Sequence, residues 1–256
     1  MQRILLAAAF PVALILIYAV MLPATWLDTV LQRGTRNSLV MTATAGTLWR
    51  GEGILQALLP NGETATLAPV SWRIALKELL LLRLHLILFS QQNTQPVLDV
   101  SLSPGGIHIN KARLAVPAAI LGVLSPTLQA ASLSGQLTLQ VDDLRLDRGQ
   151  VEGKARAIWT SAGSALSRVN PLGSYELDLD GSGAGLDFHL NTLGGVLTLS
   201  GSGSWRVDTG GDYQIMATPA ESKRQDLAPM LRMLGREISP GTYRLTIDRS
   251  VRAVSG

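Results

Sequence analysis

Beyond about residue 40 the chain alternates polar and apolar residues in short runs: Arg83–Phe89 (RLHLILF), Gly106–Ala115 (GIHINKARLA), Gln136–Val141 (QLTLQV), Tyr175–Asp180 (YELDLD) and Tyr243–Asp248 (YRLTID). A period of two places alternate side chains on opposite faces of an extended backbone, so each run predicts a strand with one face buried. Val196–Val207 (VLTLSGSGSWRV) reads as a further strand stretch whose glycines suit bulges or close backbone approach. A glycine introduces strand-like sequence in similar ways at Gly46, Gly135, Gly195 and Gly241, at spacings too irregular for a solenoid. The expected fold is mainly β: a long twisted antiparallel sheet over residues 40–256, divisible at most into similar halves at about 40–130 and 131–256. No proline-rich or charged linker separates them.

Helical spacing appears in Ser222–Gly235, where Leu227, Met230, Leu231 and Leu234 fall on one face and Gly235 supplies a stop. Val116–Leu124, closed by Pro126, reads as a short buried helix. Ala75–Leu82 (ALKELLLL) is an apolar run that periodicity cannot divide between helix and strand.

The N-terminus follows a different rule. Ile4–Leu22 (ILLAAAFPVALILIYAVML) carries no charge, and at about 1.5 Å per residue such a helix nearly spans a hydrocarbon core. Residues 1–27 are therefore expected to be a short cytoplasmic stub and a transmembrane helix, with Tyr18 and Trp26 at the interfaces, and 28–39 a linker. A cleaved signal peptide is the alternative, but the run exceeds a signal core and no small-x-small site directly follows it. The short stub with Arg3 favours export of the body, which places the bulk of the chain in the periplasm and its anchor in a cell inner membrane.

Composition narrows the function. The chain is 46% hydrophobic and only 16% charged, more apolar than an average soluble domain, and the N-terminal run accounts for part of that excess. Its 22 basic and 19 acidic residues are spread without a basic block, which argues against a nucleic-acid partner. Cysteine is absent, so no disulfide framework or cysteine metal site exists.

No residue presents itself as catalytic, cofactor-binding or metal-ligating. His85, His108 and His189 lie far apart in strand-like runs and read as surface or edge histidines. The chain contains no H-E-x-x-H, no phosphate-binding G-x-x-x-x-G-K and no G-x-S-x-G elbow. Gly181–Gly185 (GSGAG) and Gly201–Gly203 (GSG) precede strand-like sequence, whereas a dinucleotide loop must open a helix. Asp142, Asp143 and Asp147 lack the glycine and terminal carboxylate of a calcium loop. Trp49, Trp72, Trp159 and Trp205 belong to strand regions and are expected to serve the core.

Several motifs occur in an order that resembles protein N of the type II secretion (general secretory) pathway. They are Gly46-Thr47-Leu48-Trp49-Arg50-Gly51, then Pro69-Val70-Ser71-Trp72 with the leucine-rich strand after it. Farther on come Gly149-Gln150-Val151-Glu152-Gly153-Lys154-Ala155 leading to Trp159, Asn170-Pro171-Leu172-Gly173-Ser174-Tyr175, and Gly241-Thr242-Tyr243. The resemblance implies a bitopic inner-membrane protein that assists export of folded proteins from the periplasm, with other type II secretion proteins as partners, no cofactor and no catalytic residue. One departure is that Leu79–Leu82 stands where a glycine turn is expected before the leucine strand. That family is distantly similar to AsmA-like envelope proteins, which implies the alternative of a periplasmic lipid-binding or lipid-transfer module with an apolar sheet groove. An envelope hydrolase has only scattered Ser, His and Asp in its favour. The strand edges require capping by a partner, a helix or charge.

Overall fold

The computed structural model describes residues 21–35, 39–58, 64–79, 81–90, 95–123, 126–206 and 210–245. The described strands form one 14-stranded antiparallel sheet in the order β1-β2-β3-β4-β5-β6-β7-β8-β9-β10-β11-β12-β14-β13. The strands are β1 (Leu39–Gly46), β2 (Arg50–Leu58), β3 (Thr64–Ile74), β4 (Leu84–Ser90), β5 (Pro96–Ser103), β6 (Gly106–Pro117), β7 (Leu133–Asp147), β8 (Gln150–Ser164), β9 (Gly173–Gly183), β10 (Gly185–Gly195), β11 (Leu197–Arg206), β12 (Gly210–Pro219), β13 (Gly235–Ser239) and β14 (Thr242–Leu245). Short helices interrupt them: α1 (Thr25–Gly34), α2 (Leu76–Leu79), α3 (Pro126–Ala131) and α4 (Arg224–Leu234), with 3-10 turns at Ala118–Val123 and Glu221–Lys223. The mainly β expectation therefore holds. The chain divides into compact units at residues 1–112 and 113–256.

In the first unit α1 lies on the sheet. Ala24, Leu27 and Leu31 recur at helical spacing and pack with Met41, Val70, Trp72 and Ile74, backed by Leu84, Leu86 and Leu88 of β4. Asp28 in the first helical turn and Arg33 in the last suit the helix dipole. Most of α1 falls within the stretch 28–39 expected as a linker. The helix also closes the outer edge of β1: the Leu39 amide donates to Thr35 Oγ1 (3.1 Å) and the Met41 amide to Asp28 Oδ1 (2.8 Å). Amides that could have templated another strand are thereby satisfied within the chain.

In the second unit α4 covers one end of the sheet. Leu227, Met230 and Leu231, three of the four residues singled out by helical spacing, pack with Leu172, Leu197, Ala217 and Tyr243, whereas Leu234 in the last turn is 38% exposed. The stretch Val116–Leu124 is not an α-helix: β6 runs through Pro117 and a 3-10 turn follows. The run Ala75–Leu82 resolves into the single turn α2 and a tight connection into β4.

No helix among the described residues is long and apolar enough to cross a membrane. The expected transmembrane segment lies, as far as Val20, outside the described residues.

Candidate functional site

The motifs that carry the family resemblance occupy the turns and cores. Gly46 has φ +96°, and a Cβ there would stand 2.6 Å from the Arg50 carbonyl oxygen. A Cβ on Gly51 would meet the Trp72 ring at 2.5 Å, so the bare glycine backbone lets the indole lie against β2. Trp72 then donates from Nε1 to the Leu48 carbonyl at 3.0 Å, tying β3 to the β1–β2 turn. Farther on, Asp143 (φ +55°) sits in a bulge between Asp142 and Arg145 of β7, and Gly153 opposite it leaves room for the Asp143 carbonyl. Of the aspartates considered as a calcium loop, Asp142 and Asp143 thus belong to a strand bulge, and Asp147 ends β7 paired with Gln150.

Asn170 precedes a cis peptide to Pro171 and organises the approach to β9. Its Oδ1 accepts from the Ser164 amide (3.0 Å), and its Nδ2 donates to the Ser164 and Ser167 carbonyls (both 3.2 Å). Tyr175, also in this motif, donates its buried hydroxyl to the Leu197 carbonyl at 3.0 Å, and burial pushes its pKa up to about 12. Tyr243 is buried beneath α4. Trp205 departs from the expected core role: it lies near the end of β11 and is 38% exposed.

A titratable cluster that sequence spacing did not reveal lies in the first unit. His85 on β4 is 20% exposed at its side chain, with Nδ1 3.2 Å from Glu78 Oε1 and Nε2 2.8 Å from Asp99 Oδ1. Asn110 donates to the same Asp99 oxygen at 2.7 Å. Register explains the convergence: Asp99 pairs with Ile87, two positions along β4 from His85 and so on the same face, and Asn110 sits at the irregularity where β6 shifts against β5. Partial burial alone would lower the His85 pKa, but hydrogen bonds that the ring donates to Asp99 and Glu78, and the charges of those carboxylates, outweigh it and raise the value above 6.5.

Both ring nitrogens therefore face carboxylates, leaving neither to act as a base toward a hydroxyl such as that of Ser101 across the strand pair. Among the described residues no group of His, Cys, Asp or Glu is placed to hold a metal ion. The arrangement acts instead as a clasp between α2, β4 and β5. A raised folded-state pKa adds stability that is present below the unfolded value of 6.5 and lost as pH rises through the folded value. His85→Gln is accordingly expected to lower the denaturation midpoint most between roughly pH 5 and 6.5, above ordinary carboxylate titration. The deficit should shrink at higher pH; equal deficits across the titration would contradict the clasp.

In the second unit the two sheet faces differ. Lys154–Asp180 (3.1 Å), Arg156–Glu176 (3.0 Å), Arg156–Asp178 (2.7 Å) and Arg206–Asp187 (3.7 Å) form a solvated ladder of cross-strand ion pairs, with His189 exposed beside it. Exposed pairs of this kind add little stability. The depression they border, about 380 Å³, is shallow and lined by mutually paired charges. Leu137, Leu139, Leu177, Leu179, Phe188 and Leu190 alternate with these polar positions and remain partly exposed.

The family model for type II secretion system protein N matches residues 37–246. No curated protein and no solved structure matches the chain. The match spans both compact units and takes in every motif just placed, from the Gly46 turn to Tyr243. On that coverage the chain belongs to the type II secretion system protein N family and is a component of type II secretion.

Proposed function

We propose that this chain is a non-catalytic, single-pass inner-membrane component of the secretion apparatus, whose β-rich body stands in the periplasm and assists export of folded proteins across the outer membrane. Family membership over residues 37–246 carries the reading. Supporting it are the uncharged run Ile4–Leu22 ahead of the body and motif residues spent on turns, bulges and core. A body of this kind works by presenting surface to other type II secretion proteins. With the outer edge of β1 closed by α1, strand addition there is disfavoured, and among the described residues the short, charged β13 is the other terminal strand, to which a partner would add.

A second reading has one observation in its favour. The partly exposed leucines of β7, β9 and β10 line one sheet face in alternate register, as an acyl chain lying along the strands would require. Crosslinking from probes on the body in intact cells separates the readings. Adducts with other secretion proteins are expected; capture of lipid alone would transfer the function to the apolar face.

A further inference from the structure

One end of the first unit concentrates exposed apolar side chains. Because the strands alternate in direction, the β1–β2 turn, the connection from β3 to β4 and the β5–β6 turn all lie at that end. The chain enters there too: the Leu48 amide donates to the Leu22 carbonyl (2.8 Å), the Ala24 amide donates to the Gly46 carbonyl (3.2 Å), and Pro23 bridges Thr47. Leu22 is the last residue of the uncharged N-terminal run. At this same end Met21 is 71%, Leu81 69% and Leu82 75% exposed, and Trp26 points outward from the first turn of α1. Leu102 and Ile107, paired across β5 and β6, continue the apolar rim.

The amides on the C-terminal side of the turn that carries the leucines are each bonded within it. The Leu81 and Arg83 amides both donate to the Glu78 carbonyl (2.9 Å each), and the Leu82 amide donates to the Leu79 carbonyl (3.0 Å). Leu82 holds φ +56°, a conformation that favours glycine, so the turn keeps a large apolar side chain at a position where a small one costs less. Glu78, on whose carbonyl the turn closes, is held in turn through its carboxylate by His85. With the Leu81, Leu82 and Arg83 amides bonded inside the turn, the cost of seating these leucines in lipid is lowered. Lys77, Arg83 and Arg50 are exposed around it, where ammonium and guanidinium groups would meet anionic headgroups.

From these features we infer that the Leu81–Leu82 turn is a second membrane contact, seating this end of the first unit in the outer-leaflet interface of the inner membrane beside the point where the chain leaves the bilayer. The inference rests on the reading of Ile4–Leu22 as a membrane span. Its consequence is mechanical: one span alone leaves the body free to swivel, whereas a span and a turn together fix its orientation to the membrane.

The absence of native cysteine allows a direct test. Full-length protein carrying Leu81→Cys, Leu82→Cys or, as a control, Thr64→Cys is labelled with an environment-sensitive fluorophore and reconstituted into vesicles of phosphatidylethanolamine and phosphatidylglycerol. Thr64 is exposed and begins β3 at the opposite end of the strand from the leucine turn. Resistance to carbonate extraction is measured on the same samples. The expected result is carbonate-resistant protein whose probes at 81 and 82 shift to the blue and are quenched by lipid-borne nitroxide, while the probe at 64 reports water. Carbonate-resistant protein with a water-like signal at 81 and 82 would overturn the second contact and leave the span intact. Protein released by carbonate would overturn the span and, with it, this inference.

Discussion

Trp72→Ala is expected to destabilise the body by about 4 kcal/mol and to lower its thermal midpoint by roughly 10 °C. Trp72 is 1% exposed and belongs to the first unit's core cluster, which draws on Leu27 and Leu31 of α1, Met41 of β1 and Leu84, Leu86 and Leu88 of β4. Truncation leaves a cavity that β2 cannot collapse into, because Gly51 has no side chain to fill it and its backbone is fixed by pairing on both sides. The Leu48 carbonyl also loses its indole donor, which loosens the turn that receives Leu22 and Pro23. Trp72→Phe keeps most of the ring and loses only the hydrogen bond, so an intermediate shift is expected. Thermal melts followed by circular dichroism read both variants; an alanine variant within about 1 kcal/mol of wild type would show that α1 does not close this core.

The strand content was legible because alternation reports one buried face directly, and helix α4 because Leu227, Met230 and Leu231 repeat at 3.6-residue spacing. The four glycines noticed as strand openers have a common physical cause: Gly46, Gly135, Gly195 and Gly241 all take positive φ, between +79° and +130°. Their irregular spacing reflects strands of unequal length. Trp72 reads as a core residue from its strand context, but its bond to Leu48 spans 24 positions and has no local signature.

The His85 cluster was illegible for the same reason. Glu78, Asp99 and Asn110 meet the ring only after β4, β5 and β6 pair in a register that includes the irregularity between Asp99 and Val100. Helix α1 was hidden differently, since Ala24, Leu27 and Leu31 continue directly from a long apolar run that masks the change from uniform hydrophobicity to one-sided spacing. The leucine turn shows a third kind of difficulty. A sequence reading expects glycine where Leu82 takes φ +56°, and only the folded backbone reveals that a leucine holds that conformation at the surface.

Loss of the chain from a bacterium that carries it is expected to have the largest effect of all. A component of a shared export machine serves every substrate of that machine, so its removal should affect unrelated secreted proteins together and leave their folding in the periplasm intact. The fold adds a condition: rescue by the wild-type gene should be complete, while rescue by Trp72→Ala should fail above the lowered midpoint of that variant and recover at low temperature. Such coupling ties secretion to the folded body and separates it from the mere presence of the proposed N-terminal anchor.

The most direct measurement is the distribution of a folded type II substrate between periplasm and medium in a deletion strain and its complemented partner. Substrate is expected to accumulate, folded, in the periplasm of the deletion strain and to return to the medium on complementation. Undiminished secretion without the chain would contradict a role in export and leave the apolar sheet face, with lipid as its ligand, as the reading to pursue.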